Sequence, residues 1–202
     1  MSVKIIGAAS AAEVEVDSLS KALRVIPYTT AGMPQFGSMT WDGISGVPVS
    51  IIPTTLTSGT CYFACRNLGA RMAYLVSLEL ITSFTGTAAA TRSIFEFGRF
   101  NGATHTGGTA VTPSPMSTAQ GASTITDIRF APGGLTGTGV TYGPPIGNVA
   151  VMSQPTAGEV YTLSASVAGF EMAPNEGFYV RAAGTVIAGA ALNGHMLWAE
   201  VG

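Results

Sequence analysis

The sequence predicts an all-β protein, a jelly-roll-type sandwich of two sheets with an extended N-terminal arm. Apolar residues recur with period two or in short runs, which is the pattern of strands. Glycine, proline, serine and threonine bound these runs, and no stretch of useful length has helical spacing. About eight strands are expected between residues 40 and 202, and that number suits a jelly roll or a related sandwich.

The longest strand is predicted over residues 72–82. One face of this strand is expected to be apolar and to contain Met72, Tyr74, Val76, Leu78 and Leu80. The other face is mixed in polarity. A strand of this kind belongs in a sandwich in which one sheet face is covered.

Two shorter runs alternate in the same way. In the first, Phe95 and Phe97 alternate with polar or small residues, and in the second, Ile128 and Phe130 alternate with a charged pair. Because side chains point to opposite faces at successive positions of a strand, these four residues are expected to face the core.

Two turns are predicted in the last third of the chain. Asn193-Gly194 lies between the apolar runs 188–192 and 195–201, and Asn-Gly in that setting is the strongest short hairpin motif. The segment 173–177, Ala-Pro-Asn-Glu-Gly, predicts a turn that leads into another strand.

Residues 1–39 are expected to form the arm and residues 40–202 the sandwich domain. The arm contains three short β-like pieces, at 3–6, 13–16 and 22–26, each too short to bury much surface of its own. An arm that lies on a neighbouring subunit, or adds a strand to its sheet, would order such pieces. The alternative is that they are edge strands of the same sandwich.

Charged residues make up only 10% of the 202 residues, against about 25% in an ordinary soluble domain. Since surface charge keeps proteins soluble and monomeric, this composition predicts a homo-oligomer, with a trimer favoured over a dimer. Small side chains along 182–191 are expected to let a neighbour approach, leaving an apolar patch on a lone subunit. The nine basic residues are scattered, which argues against nucleic acid. No apolar run approaches the ~20 residues that span a bilayer.

The two cysteines, Cys61 and Cys65, are expected to be small core residues on one face of a strand. Positions four apart in a strand are separated by about 13 Å, which is beyond the reach of a disulfide. The two histidines form no zinc-ligand pattern with them. Two unpaired thiols suit a protein that matures in a reducing cytoplasm.

No catalytic, cofactor-binding or metal-binding residue is predicted, and an enzyme is not expected. His105 lies in a presumed loop without an evident partner, and His195 follows a predicted turn. The glycine-threonine segment 134–143 does not open a helix, as a dinucleotide-binding loop would. Glu13, Glu15 and Asp17 are interpreted as a solvated acidic edge, although their spacing would also allow them to hold a hard cation.

Aromatic residues raise the possibility of sugar stacking, but most have a simpler interpretation. Trp41 and Trp198 lie in alternating runs, where core packing is the default. Tyr142, between Thr141 and Gly143 in a presumed loop, is the one aromatic residue singled out for possible ligand contact.

Both ends of the chain resemble small structural proteins of tailed bacteriophages. At the start, the resemblance lies in the glycine-containing segment 1–10, the acidic-valine segment 13–17 and Lys-Ala-Leu-Arg-Val at 21–25. At the end, segments 172–181 and 198–201 are similar to the last strands of their jelly-roll domains. The resemblance implies a virion component made in the host cytoplasm, with no catalytic residues to carry over.

The expected function is therefore structural. The leading hypothesis is a capsid decoration or cement protein that stabilises the shell and contacts other virion proteins, such as the major capsid protein. The alternative is a tail-fibre or receptor-binding adhesin that displays loops 102–117 or 132–145 to a host surface glycan. A carbohydrate-active enzyme on a jelly-roll scaffold is a third, weaker hypothesis, because no acid pair lies in a motif.

Overall fold

The computed structural model describes residues 14–16, 23–25, 35–41, 51–85, 92–115, 122–152, 160–164 and 170–201. Within these ranges the chain forms strands, turns and loops, without a helix. The strands are β1 Val14–Val16, β2 Leu23–Val25, β3 Gln35–Trp41, β4 Cys61–Arg66, β5 Met72–Phe84, β6 Arg92–Gly102, β7 His105–Thr106, β8 Thr109–Ala110, β9 Ser114–Pro115, β10 Asp127–Gly137, β11 Val140–Met152, β12 Val160–Ser164, β13 Glu171–Met172, β14 Glu176–Ala182 and β15 Ala190–Val201.

Two antiparallel sheets pack as a sandwich. The front sheet has seven strands in the order β11-β6-β14-β4-β10-β7, with β8 paired to β10. The back sheet has six strands in the order β12-β5-β15-β3-β9, with β13 paired to β5. The all-β sandwich predicted from the sequence is confirmed.

The long strands pair in a nested order, in which strands from the first half of the chain pair with strands from the second half. The first long strand, β3, pairs with the last, β15, and the nesting continues inward with β4–β14, β5–β12 and β6–β11. Successive pairs alternate between the back and front sheets. Eight strands in this nested order form a jelly roll. Strand β10 is an addition that extends the front sheet beyond β4.

The main core lies between the sheets and is rich in aromatic side chains. Trp198 is fully buried, and Tyr62 packs edge-on against Phe95 with ring centroids 5.4 Å apart. Burying one side chain of this size stabilises the fold by about 1.5–3 kcal/mol. The four residues that the shorter runs place in the core all lie there: Phe95, Phe97, Ile128 and Phe130.

The strand predicted over 72–82 is present as β5, but some of the residues predicted to face the core along it do not do so. Leu78 and Leu80 are buried as expected, whereas Met72 and Tyr74 remain half-exposed on the other face. The buried residues of β5 are Ala73, Leu75, Leu78, Leu80, Thr82 and Phe84.

A β-bulge explains this exchange of faces. Leu197 and Trp198 are neighbours on β15, but they pair with Ser77 and Leu75 on β5. Val76 is therefore an extra residue in the ladder. Because the side-chain period of a strand is two, one inserted residue moves everything before it to the opposite face.

A second bulge separates the two cysteines. Neighbouring residues of β14 pair with Phe63 and with Cys61, so Tyr62 is the extra residue on β4. Cys65 faces the main core, whereas Cys61 points to the outer face of the front sheet. The prediction that both thiols share a face is wrong for this reason. Both thiols are free and buried.

The two predicted turns have opposite outcomes. The hairpin at Asn193-Gly194 is wrong, since β15 runs from Ala190 to Val201 without interruption. Both residues pair with β5, and Gly194 also pairs with β3, so ladders on two sides outweigh the local turn preference. The turn at 173–177 is confirmed, and Asn175 supplies its left-handed residue with φ of 69°.

The segment 182–191 is not the exposed apolar face that the sequence suggests. Val186 exchanges backbone hydrogen bonds with Leu56, at 3.0 and 2.8 Å. Ile187 is partly buried against the main core. Four further apolar side chains of this segment are buried within the same subunit: Ala182, Val186, Ala190 and Ala191. The patch expected on a lone subunit is therefore absent from these described residues.

Two of the three short pieces of the arm pair with each other. Strands β1 and β2 form a two-stranded antiparallel sheet in which Glu15 lies opposite Arg24. The piece at 3–6, together with Glu13 and Asp17, lies outside the described residues. Strand β3 spans the predicted boundary between residues 39 and 40, and the division into an arm and a body stays a prediction.

Candidate functional site

The front sheet carries a second buried cluster on its outer face, which we call the outer cluster. Its buried members come from β4, β6, β10 and β14, with Val140 and Tyr142 of β11 packed against them: Cys61, Ala64, Phe100, Ala131, Leu135 and Tyr179. A sheet face that would ordinarily meet solvent is therefore covered by protein.

Residues of β10 and β11 cover this face because the front sheet curls. The two strands lie toward opposite ends of the sheet and do not pair, yet only residues 138 and 139 separate them along the chain. The two sides of the sheet must therefore meet at this end, around the outer cluster. Gly139, with φ of 71°, lies in the tight connection. The segment 134–143 contains this connection and opens no helix.

Glycine at position 98 allows close approach of β11 where its pairing with β6 is irregular. A Cβ atom there would lie 2.9 Å from the carbonyl oxygen of Pro144 and 3.0 Å from the Tyr179 hydroxyl oxygen. The Tyr179 hydroxyl donates to the carbonyl oxygen of Gly143 at 3.1 Å. These contacts attach the irregular part of β11 to β6 and β14.

His105 and Tyr142, two residues that the sequence left unconnected, lie in direct contact. A hydrogen bond of 2.7 Å joins His105 Nε2 to the Tyr142 hydroxyl. His105 is 2% exposed, and its buried Nδ1 has no hydrogen-bond partner among the described residues. Burial lowers the pKa of His105 and raises the pKa of Tyr142. Both side chains are therefore neutral at pH 7.

Arg181 packs against two tyrosine rings that also contact each other, with ring centroids 4.9 Å apart. Its guanidinium carbon lies 4.8 Å from the ring centroid of Tyr142 and 4.9 Å from that of Tyr179. Its Nε donates to Glu96 Oε1 at 2.5 Å. Stacking on two rings and pairing with a carboxylate together fix the orientation of the guanidinium.

The Cys61 thiol is not activated as a nucleophile. It donates to the carbonyl oxygen of Phe63 at 3.3 Å, and burial raises its pKa to about 12. Burial also raises the pKa of Cys65. Since the thiolate is the reactive form, both side chains serve packing in this structure.

An open groove of about 460 Å³ lies next to the Arg181–Glu96 pair, and we call it the Ile146 groove. Residues of β6 and β11, together with the residue that follows β14, line it: Ile94, Glu96, Pro145, Ile146, Gly147, Asn148 and Ala183. Ile146 is 51% exposed, because the pairing of β11 with β6 is irregular on either side of Pro145. The outer cluster and this groove together are the candidate functional site.

A buried carboxylate lies elsewhere, at the end of the back sheet. Glu200 is 1% exposed and accepts hydrogen bonds from the hydroxyl groups of Ser123 and Thr124, the Thr124 amide and Trp198 Nε1. Burial alone would raise its pKa, but these hydrogen bonds outweigh burial and the pKa is lowered. The carboxylate thus attaches the segment before β10 to β15.

The other residues weighed from the sequence take no part in the site. Trp198 is in the main core as predicted, and His195 lies on β15 opposite Glu79 of β5. The described part of the chain holds no group of three potential metal ligands. It also holds no helix with the length and apolar character needed to cross a membrane.

Sequence reasoning singled out Tyr142 but missed Arg181, Tyr179 and Glu96. Arg181 and Glu96 are distant in sequence, and only the pairing of β14 with β6 places them opposite each other. The alternation of Glu96 with two core phenylalanines does predict that its side chain points outward. No pattern in the sequence identifies its partner.

The chain matches no protein-family model, no curated protein and no solved structure.

Proposed function

We propose that this chain is a structural protein of a bacteriophage virion that decorates and cements the capsid shell. The observation that supports this most is the scarcity of free charge. Only 10% of the residues are charged, and three of the described arginines pair with carboxylates: Arg99 with Glu176, Arg129 with Asp127 and Arg181 with Glu96.

A surface of this kind suits permanent contact with neighbouring subunits. Burying an unpaired charge costs several kcal/mol, and the cores of protein interfaces are accordingly depleted of charge. A compact sandwich with few free charges could therefore fit against capsid subunits at low desolvation cost. In this proposal the arm binds a neighbouring subunit, the partners are the major capsid protein and further copies of the chain, and the role requires no catalysis.

The number of copies on purified particles tests this proposal. Quantitative mass spectrometry of virions, scaled to the major capsid protein, should give hundreds of copies per particle. Immunogold labelling should then decorate the whole shell. A handful of copies, or labelling confined to the tail, would overturn the decoration role.

A second candidate function, a receptor-binding adhesin of the tail, has its own supporting observation. The two segments expected to be displayed, 102–117 and 132–145, meet where His105 bonds to Tyr142. The Ile146 groove begins at the end of the second segment. Low copy number together with labelling at the tail tip would favour this candidate over the decoration role.

A further inference from the structure

We propose that the Ile146 groove binds a neutral sugar through Glu96, which Arg181 holds in place, and through Asn148. The groove, about 460 Å³, falls within the range of small-molecule sites, about 300–1,000 Å³. This inference rests on the second candidate function, because it names the ligand class of an adhesin. It does not depend on where on the particle the protein is located.

Two polar side chains that line the groove match two adjacent hydroxyl groups. Arg181 Nε donates to Glu96 Oε1, and no described residue donates to Glu96 Oε2. Asn148 lies opposite Glu96 in the pairing of β11 with β6. One sugar hydroxyl can donate to the carboxylate while its neighbour accepts from the Asn148 amide, as a vicinal diol requires.

The charges of the pair favour a neutral ligand. Arg181 Nε and Glu96 Oε1 lie 2.5 Å apart, so the net charge of the two side chains is zero. An anionic ligand would be attracted by Arg181 and repelled by Glu96, and the reverse holds for a cation. Hydroxyl groups meet no such conflict.

The polar groups are already fixed in the free protein. The side chains of Arg181 and Glu96 are only 22% and 18% exposed, and the guanidinium packs against the rings of Tyr142 and Tyr179. His105 in turn fixes Tyr142. Since ordering a long side chain on binding costs free energy, this arrangement favours affinity for a small ligand.

The remaining lining supplies the other half of a sugar-binding surface. Ile146 is one of only three large apolar side chains that are strongly exposed among the described residues, and Pro145 lies beside it. Such a surface can pack against the C–H face of a pyranose ring. Asn148 is exposed on the same side, where its amide can reach a bound sugar.

Saturation-transfer difference NMR on the full chain tests the proposal. The probes are glucose, galactose, mannose and N-acetylglucosamine at millimolar concentration, with glucuronic acid and glucosamine as charged counterparts. We expect saturation transfer to at least one neutral sugar and weaker transfer to the charged ones. Absence of transfer to every neutral sugar, or binding of a charged sugar alone, would overturn the proposal.

Variants locate the binding. Asn148→Ala removes an exposed side chain, and Glu96→Gln removes the negative charge of the carboxylate. Each should weaken affinity for the neutral sugar by about tenfold, the loss that corresponds to one good hydrogen bond. Glu79→Gln, the same chemical change on the back sheet, should leave affinity unchanged.

Thermal melting of each variant separates binding from folding. If Glu96→Gln does not fold, Asn148→Ala alone decides, and wild-type affinity in a folded Asn148→Ala would contradict the proposed site. The particle counts described above are independent of this experiment. A protein present in hundreds of copies can still bind sugar, and a tail protein can fail to do so.

Discussion

Glu200 combines a negative charge with nearly complete burial. Among the described residues no cation pairs with its carboxylate, and only hydroxyl, amide and indole donors surround it. Isolated buried charges are costly, so its stability depends on these donors. The same donors connect the back sheet to the segment that leads into the additional strand β10.

We expect Glu200→Gln to destabilise the protein by about 1–3 kcal/mol, since an amide leaves some of these donors without an acceptor. The midpoint of urea unfolding, followed by tryptophan fluorescence, measures this loss. Glu171→Gln, the same substitution at an exposed position, is the matched control and should lie within about 0.5 kcal/mol of wild type. Equal midpoints for the two variants would contradict the prediction.

The same carboxylate predicts a pH dependence of stability. Its pKa in the folded protein is below the ordinary value of 4.5, so the unfolded chain binds a proton first as the pH falls. The stability it contributes is fully present above pH 4.5 and is lost as the pH falls through the lower, folded-state pKa.

Melting temperatures measured from about pH 7 to about pH 3 check this dependence. The difference between wild type and Glu200→Gln should shrink on the acid side, because wild type alone loses this contribution. A difference that stays constant down to pH 3 would show that Glu200 does not titrate in this way.

At the scale of elements, the pairing of β11 with β6 depends on close approach of the two strands at Gly98. Gly98→Ala would place a methyl group 2.9 Å from the Pro144 carbonyl oxygen, and backbone must move to relieve the contact. We expect a loss of about 1–3 kcal/mol in the free energy of unfolding, as for other overpacked sites. Hydrogen exchange should show faster exchange of amides in β11.

Gly133→Ala is the control for this substitution. Gly133 lies on β10 of the same sheet, but a Cβ atom there would meet nothing within 4 Å. The stability of Gly133→Ala should stay within about 0.5 kcal/mol of wild type. If Gly98→Ala were as stable as Gly133→Ala, the pairing of β11 with β6 would not depend on close approach at Gly98.

At the scale of the whole molecule, the scarcity of charge predicts self-association. We expect a homotrimer of about 60 kDa, three times the 20.5 kDa of the chain, by size exclusion with light scattering at micromolar concentration. A mass near 40 kDa would indicate a dimer. A clean 20 kDa species that also fails to assemble on particles would contradict the prediction.

Removal of residues 1–34 tests the arm in the same experiments. The truncation ends just before β3, so every strand of the two packed sheets is retained. The truncated protein should keep the circular dichroism of a folded β protein and lose binding to particles. Retained particle binding would show that the arm is not the attachment element.

Local pattern was sufficient for the fold class of this protein. Alternation with period two predicted strands because a half-buried strand must turn its apolar side chains to one face. The turn at 173–177 could be predicted because its residues set the backbone themselves. The core positions of Phe95, Phe97, Ile128 and Phe130 followed from the same alternation.

Pairing between distant strands decided the rest. The bulges at Val76 and Tyr62 arise where the register between neighbouring strands shifts by one residue. No local sequence pattern predicts such a shift. Asn193-Gly194 has the local preference of a turn, but ladders on both sides keep it extended. The contact of Arg181 with Glu96 exists because β14 lies beside β6, a consequence of the nested order of the whole chain. Local sequence determines the faces of strands, whereas the register between strands is set by contacts that form only when the sandwich closes.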